Sequence, residues 1–87
     1  MFNVTIAAAI RLAQKLTTKR VGDDLAMRFV RREHGWNLRP DTPGPDDVAV
    51  AHEGRTVLVL DAAAAALLAE RTLDARDTPG GSRLYLR

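Results

Sequence analysis

A chain of 87 residues predicts one domain, residues 1–87, and a domain of that size hides only about 60–65% of the surface its unfolded chain exposes. The sequence contains no cysteine, which excludes disulfides, thiolate–metal sites and thiol nucleophiles together. The net charge of +2 and the pI near 9.7 come from eleven arginines against two lysines; arginine and alanine enrichment is what a GC-rich coding sequence yields, and a nucleic-acid partner would need the arginines on one face.

The first predicted element is a helix over residues 6–16. Thr5 stands where an N-cap belongs, with a hydroxyl able to accept from a first-turn N–H. Ile6, Ala9, Ile10, Ala13 and Leu16 fall at 3.6-residue spacing and predict one core-facing stripe, with Arg11, Gln14 and Lys15 opposite and Leu12 at the margin. That stripe is mostly alanine, too little apolar area for strong lipid binding. The first ten residues lack the basic leader of a signal peptide, and nothing approaches the roughly 18 apolar residues of a membrane span. A soluble, cytoplasmic protein with no membrane partner is therefore expected.

A polar break over residues 17–24, with Gly22 as its turn residue, leads into a change of period from 3.6 to 2. Leu25, Met27 and Phe29 point one way and Ala26, Arg28 and Val30 the other, the pattern of a half-buried strand. Trp36 and Leu38 resume the alternation. The intervening R-R-E-H-G is a tight connection in which Gly35 is free to take a positive φ. Pro40, Pro43, Gly44 and Pro45 predict a stiff loop within the domain, outside any central ladder.

Residues 48–52 and 55–60 are predicted as strands joined at Glu53-Gly54. Val57, Leu58, Val59 and Leu60 are apolar on both faces, so that strand should be central and covered on both sides. Asp61 is a good N-cap for a helix from Ala62 to about Glu70, because its carboxylate meets unpaired N–H groups at the positive helix end. Ala63, Ala66 and Ala69 are expected against the sheet, with Leu67 and Leu68 as larger anchors. Residues 72–77 and 82–87 make the last two strands, turning at residues 78–81.

Catalytic patterns are scarce. His34 and His52 lie eighteen residues apart, without the spacing that sets two imidazoles on one metal. Asp46 and Asp47 are neighbours whose side chains diverge, which argues against paired acid–base work. Gly44 and Gly80-Gly81 are isolated glycines, and no motif joins Ser82, His34 and an aspartate into a triad. No enzyme, catalytic residue, metal site or cofactor is expected. One hairpin stands out, because Arg28, Arg31, Arg32, His34, Trp36 and Arg39 combine cations with a flat aromatic. Either Trp36 packs under the sheet while the arginines are solvated, or these six residues form an interaction surface. The low net charge, with Glu33 inside the hairpin, favours a protein partner over nucleic acid.

The stretch D-T-P-G-P-D-D-V-A-V-A-H-E-G-R-T-V-L-V-L-D, the alanine-rich helix after it and T-L-D-A-R-D-T-P-G-G-S-R-L-Y-L follow an order that resembles the HesB-like (IscA-like) A-type iron–sulfur carriers. Val4, Thr5 and Ala9 extend the resemblance to the first helix. It implies an α+β HesB-like domain with a mixed β-sheet and two short helices, and association as a homodimer through the sheet. The family's chemistry rests on three cysteines, one in a glycine-rich loop after the first long strand and two in a C-terminal C-G-C tail. Here the corresponding connection is about four residues shorter. The resemblance thus implies a non-catalytic accessory or binding protein related to iron–sulfur cluster assembly, unable to hold a cluster through cysteines. A small basic nucleic-acid-binding module using the Arg/Trp hairpin is the alternative, and a histidine–carboxylate metal site ranks third.

Overall fold

In the computed structural model, residues 1–18, 22 and 24–87 are described; Lys19, Arg20, Val21 and Asp23, half of the predicted polar break, lie outside them. The chain runs β1 (Asn3–Val4), α1 (Ile6–Thr18), β2 (Ala26–Arg32), β3 (Gly35–Asp41), β4 (Val48–His52), β5 (Arg55–Leu60), α2 (Ala62–Leu67), β6 (Thr72–Thr78) and β7 (Gly81–Leu86). The α+β class and the two helices match the expectation. Instead of one sheet, the described strands form two, a four-stranded sheet ordered β3-β2-β5-β4 and a three-stranded sheet ordered β1-β6-β7. Both are mixed, because β2 pairs with β5, and β1 with β6, in parallel while the remaining pairs are antiparallel.

Strand β5 lies between β2 and β4, and Val57, Leu58, Val59 and Leu60 are all fully buried. A run with no polar side chain on either face gains most where neither face meets water, as expected for it. The turn into β5 places Glu53 at φ 51° and Gly54 at φ 79°. Two successive positive φ values match the right-handed twist of the flanking strands, and glycine takes the second without a Cβ penalty. At the β2–β3 tip, Arg32 pairs with Gly35, whose φ is 134°. Pro40 departs from the expected loop: it lies in β3 opposite Met27. Since β3 is an edge strand, a residue without an N–H is tolerated there.

Helix α1 turns a different face inward from the one its spacing suggested. Ala8, Ala9, Leu12 and Leu16 are buried, while Ile6 is 76% and Ile10 43% exposed. The start of the helix fixes this rotation. Thr5 N–H donates to the Leu73 carbonyl at 3.0 Å, Thr5 Oγ1 donates to Asp74 Oδ1 at 2.7 Å, and Ala8 N–H donates back to Thr5 Oγ1 at 3.1 Å. The cap is thus tied to β6 before any side-chain stripe can choose its direction. The small Ala8 and Ala9 then let the helix approach closely, and Leu12 and Leu16 fill the core. Each such leucine contributes roughly 1.5–3 kcal/mol by leaving water.

Helix α2 is likewise set by its cap. Asp61 Oδ1 accepts from Ala64 N–H at 2.7 Å, and the helix spans only six residues before Leu68 ends it. Ala64 and Leu68 are buried, whereas Ala63, Ala66 and Leu67 are exposed. The expected contact through Ala63 and Ala66, with Leu67 as an anchor, is therefore displaced by one residue. Six alanine-rich positions have too little side-chain asymmetry to mark a face, so the packing of Leu68 decides it. Ala64 and Leu68 join Leu12, Leu16, Met27, Phe29, Leu58, Leu60 and Leu73 in one core.

Candidate functional site

The β2–β3 hairpin distributes its six candidate residues over two faces and a tip. Arg31 pairs with Trp36 and Phe29 with Leu38, so these four share one face; Arg28 pairs with Arg39 and Arg32 with Gly35 on the other. His34 lies at the turn beside Glu33. Arg31, Arg32, His34 and Arg39 are exposed. Trp36 is half-buried, its ring centroid 5.1 Å from that of Phe29 at an interplanar angle of 44°, a tilted arrangement favoured by the ring quadrupoles. The hairpin brings Arg32 and Arg39 to one face and Arg31 and Trp36 to the other, and does not gather all six into one patch.

Arg28 is held inside the fold. Its Nε donates to Asp41 Oδ2 at 2.7 Å, its Nη1 and Nη2 donate to Asp47 at 3.1 and 2.6 Å, and Nη2 also reaches the Thr42 carbonyl at 3.3 Å. Only 17% of the Arg28 side chain and 11% of the Asp47 side chain is exposed. Asp47 Oδ2 further accepts from Gly44 N–H at 2.7 Å, and Asp41 Oδ1 from Thr42 N–H at 2.8 Å. The proline-rich loop is thereby laced to β2 through a forked guanidinium. The bond to Asp47 is the main cause of an Arg28 pKa above its usual value. The same bond, with help from Gly44 N–H, holds the Asp47 carboxyl down to about 2. Arg28, followed by Thr42 N–H, also depresses Asp41. Carboxylates so firmly ionised accept hydrogen bonds and do not serve as general acids at neutral pH.

A second polar junction, which sequence pattern alone did not mark, centres on Asp74. It accepts from Thr5 Oγ1 at 2.7 Å, Ala75 N–H at 2.8 Å, Arg87 Nε at 3.1 Å and the Tyr85 hydroxyl at 3.3 Å. These bonds, the one from Thr5 foremost, keep its carboxyl below the ordinary range. The junction joins α1, β6 and β7. In sequence it is an aspartate within a strand, where carboxylates are uncommon, and that oddity is the one signal that could have exposed it.

Among the described residues, no group of three or more histidine and carboxylate side chains is placed to hold a metal ion. His52 lies 4.0 Å from Glu53, its neighbour in sequence, and far along the chain from His34. No described helix is long and apolar enough to cross a membrane.

No family model matches the chain, and no curated protein matches it. Solved structures share its fold, SufA and IscA among them. Escherichia coli SufA, involved in biosynthesis of iron–sulfur clusters, superposes with a TM-score of 0.78 at 18% identity, covering 99% of this chain and 83% of SufA. IscA, solved with a [2Fe–2S] cluster, superposes with a TM-score of 0.62 at 24% identity, covering all of this chain and 84% of IscA. The chain thus has the fold of the A-type iron–sulfur carriers that its sequence resembles, in 87 residues that include no cysteine.

Proposed function

We propose that this is a non-catalytic binding or accessory protein related to iron–sulfur cluster assembly, one that recognises a protein partner and holds no cluster of its own. The carrying observation is the pairing of a carrier fold with a thiol-free sequence. Such clusters are held by cysteine thiolates, with histidine as an occasional substitute, and this chain offers two histidines on different hairpins. The hairpin after the first long strand closes through Glu33 and His34 alone, which leaves a short tip in place of a ligand-bearing loop. What the fold retains is surface: Arg31 beside Trp36 on one face of the hairpin, and Arg32 at its tip on the other. Cations beside an aromatic are enriched at protein contacts. Association as a homodimer, in the cytoplasm, belongs to the same proposal.

The test is anaerobic incubation with iron and sulfide, followed by visible absorbance and iron analysis, and then titration against a cysteine-bearing A-type carrier by calorimetry. The expected result is no stoichiometric cluster on this chain and saturable binding to the carrier that weakens on Arg31→Glu with Arg32→Glu. A protein-bound cluster at stoichiometric iron, or a carrier titration with no binding, overturns the proposal.

A further inference from the structure

An open cleft of about 650 Å³ lies between the β2–β3 hairpin, β7 and α1, and its lining includes Arg11, Phe29, Trp36, Arg83, Leu84 and Tyr85. The volume falls within the range of small-molecule sites. Three features give the cleft a chemical preference. Phe29 and Trp36, 5.1 Å apart, form an aromatic wall continued by the half-buried Leu38 and Leu84. Arg11 enters from α1 with its Nε buried and without a hydrogen-bond partner. No described acidic side chain lines the cleft.

The second feature carries the argument. Buried polar groups in folded proteins are nearly always paired, and a guanidinium N–H is costly to leave without an acceptor. Arg28, half-buried like Arg11, has its donors met by Asp41, Asp47 and the Thr42 carbonyl. Arg11 Nε has no such partner, and the cleft that Arg11 lines sets the aromatic and aliphatic side chains beside Asn37, Ser82 and Tyr85. Strand β7 supplies the rest. Leu84 and Leu86 alternate inward toward the core, while Arg83 and Tyr85 lie on the strand's other face and reach the cleft at its rim. Tyr85 is fixed there by its bond to Asp74 and by Arg76, 5.0 Å above its ring.

We infer that this cleft is a binding site for a small molecule joining a planar aromatic ring system to an anionic group, a carboxylate, sulfonate or phosphate. The ring would lie against Trp36, which the buried Phe29 backs, and the anion would supply the acceptor that Arg11 Nε lacks, with Arg83 adding charge. This goes beyond the partner-binding reading, with which it shares Trp36.

Trp36 is the only tryptophan in the chain, so its emission reports on the cleft directly. The experiment titrates the folded protein with anilinonaphthalene sulfonate, following energy transfer from Trp36 to the probe. Phenylnaphthylamine, which has the same ring body without the sulfonate, is the comparison. The expected result is saturable binding of one sulfonate per chain, with the neutral analogue at least about tenfold weaker, the factor that a charge-assisted hydrogen bond commands. Arg11→Gln should reduce sulfonate affinity by a similar factor, bring the two probes closer together and leave the thermal midpoint unchanged. Absence of saturable transfer, or equal affinity for the two probes on the wild-type protein, overturns the inference without reliance on any variant.

Discussion

At the scale of single residues, the Arg28–Asp41–Asp47 junction shows how a residue type that reads as surface becomes internal. Arg28 sits in a strand with period-2 alternation, and nothing within β2 distinguishes it from Arg32. The distinction comes from Asp41 and Asp47, which flank the proline-rich loop and converge on one guanidinium only after folding. A pH dependence follows. The Asp47 carboxyl is held at about 2 in the folded protein and has an ordinary value near 3.9 when unfolded. A group depressed on folding stabilises the native state at pH above its unfolded value, and that stabilisation is lost as pH falls through the folded value. Asp47→Asn keeps an oxygen for Gly44 N–H but gives up the charge, so it should lower the thermal midpoint by several degrees at pH 6. The gap between wild type and variant should then narrow progressively from about pH 4 to pH 2. Thermal unfolding of both proteins across that window measures it, and a gap that stays constant down to pH 2 would show that Asp47 is not ionised against Arg28.

At the scale of elements, legibility followed side-chain size. The strands were readable because bulky alternation in Leu25 to Val30 and the uninterrupted run Val57 to Leu60 leave few choices of face. The helices were readable in position, since Thr5 and Asp61 cap them as their chemistry requires, but not in rotation. In α1 two isoleucines suggested a stripe, yet the anchoring of Thr5 to β6 turned Leu12 inward and left Ile6 in solvent. In α2 the choice of face fell to Leu68. Two substitutions with the same volume change separate these positions. Ala64→Leu forces three extra carbons into a packed contact and should cost roughly 1–3 kcal/mol. Ala66→Leu, on the exposed side, should stay within about 0.5 kcal/mol of wild type. Urea unfolding at constant m-value gives both numbers. If Ala66→Leu were the costlier change, α2 would be docked through the other face.

At the scale of the whole molecule, the fold is more legible than the use to which it is put, because the pattern of strands, turns and caps is distributed along the chain while the cysteines that would state a function are absent from it. The division into two sheets escaped the sequence for a related reason. It depends on β6 and β7 pairing with each other and with the two-residue β1 instead of with the four-stranded sheet, a choice of partner that no hydrophobic period marks. The same three-dimensional arrangement bears on nucleic acid as a partner. Counted along the chain, Arg28, Arg31, Arg32 and Arg39 form a basic cluster; in the fold, Arg28 is neutralised by two carboxylates, Arg31 faces one way and Arg32 and Arg39 the other. No face of the hairpin therefore presents more than two available arginines. Each phosphate neutralised on duplex DNA adds about 0.9 to the logarithmic salt slope, so a hairpin-mediated contact should give a slope no steeper than about 2 and an affinity weaker than micromolar near physiological salt. Titration of labelled single- and double-stranded DNA and RNA at low and near-physiological salt, with wild type and with Arg31→Ala combined with Arg32→Ala, decides the matter. Submicromolar binding that survives physiological salt and disappears in the double variant would mean that the two faces act together on one nucleic acid, and would move this fold from a protein contact to a nucleic-acid one.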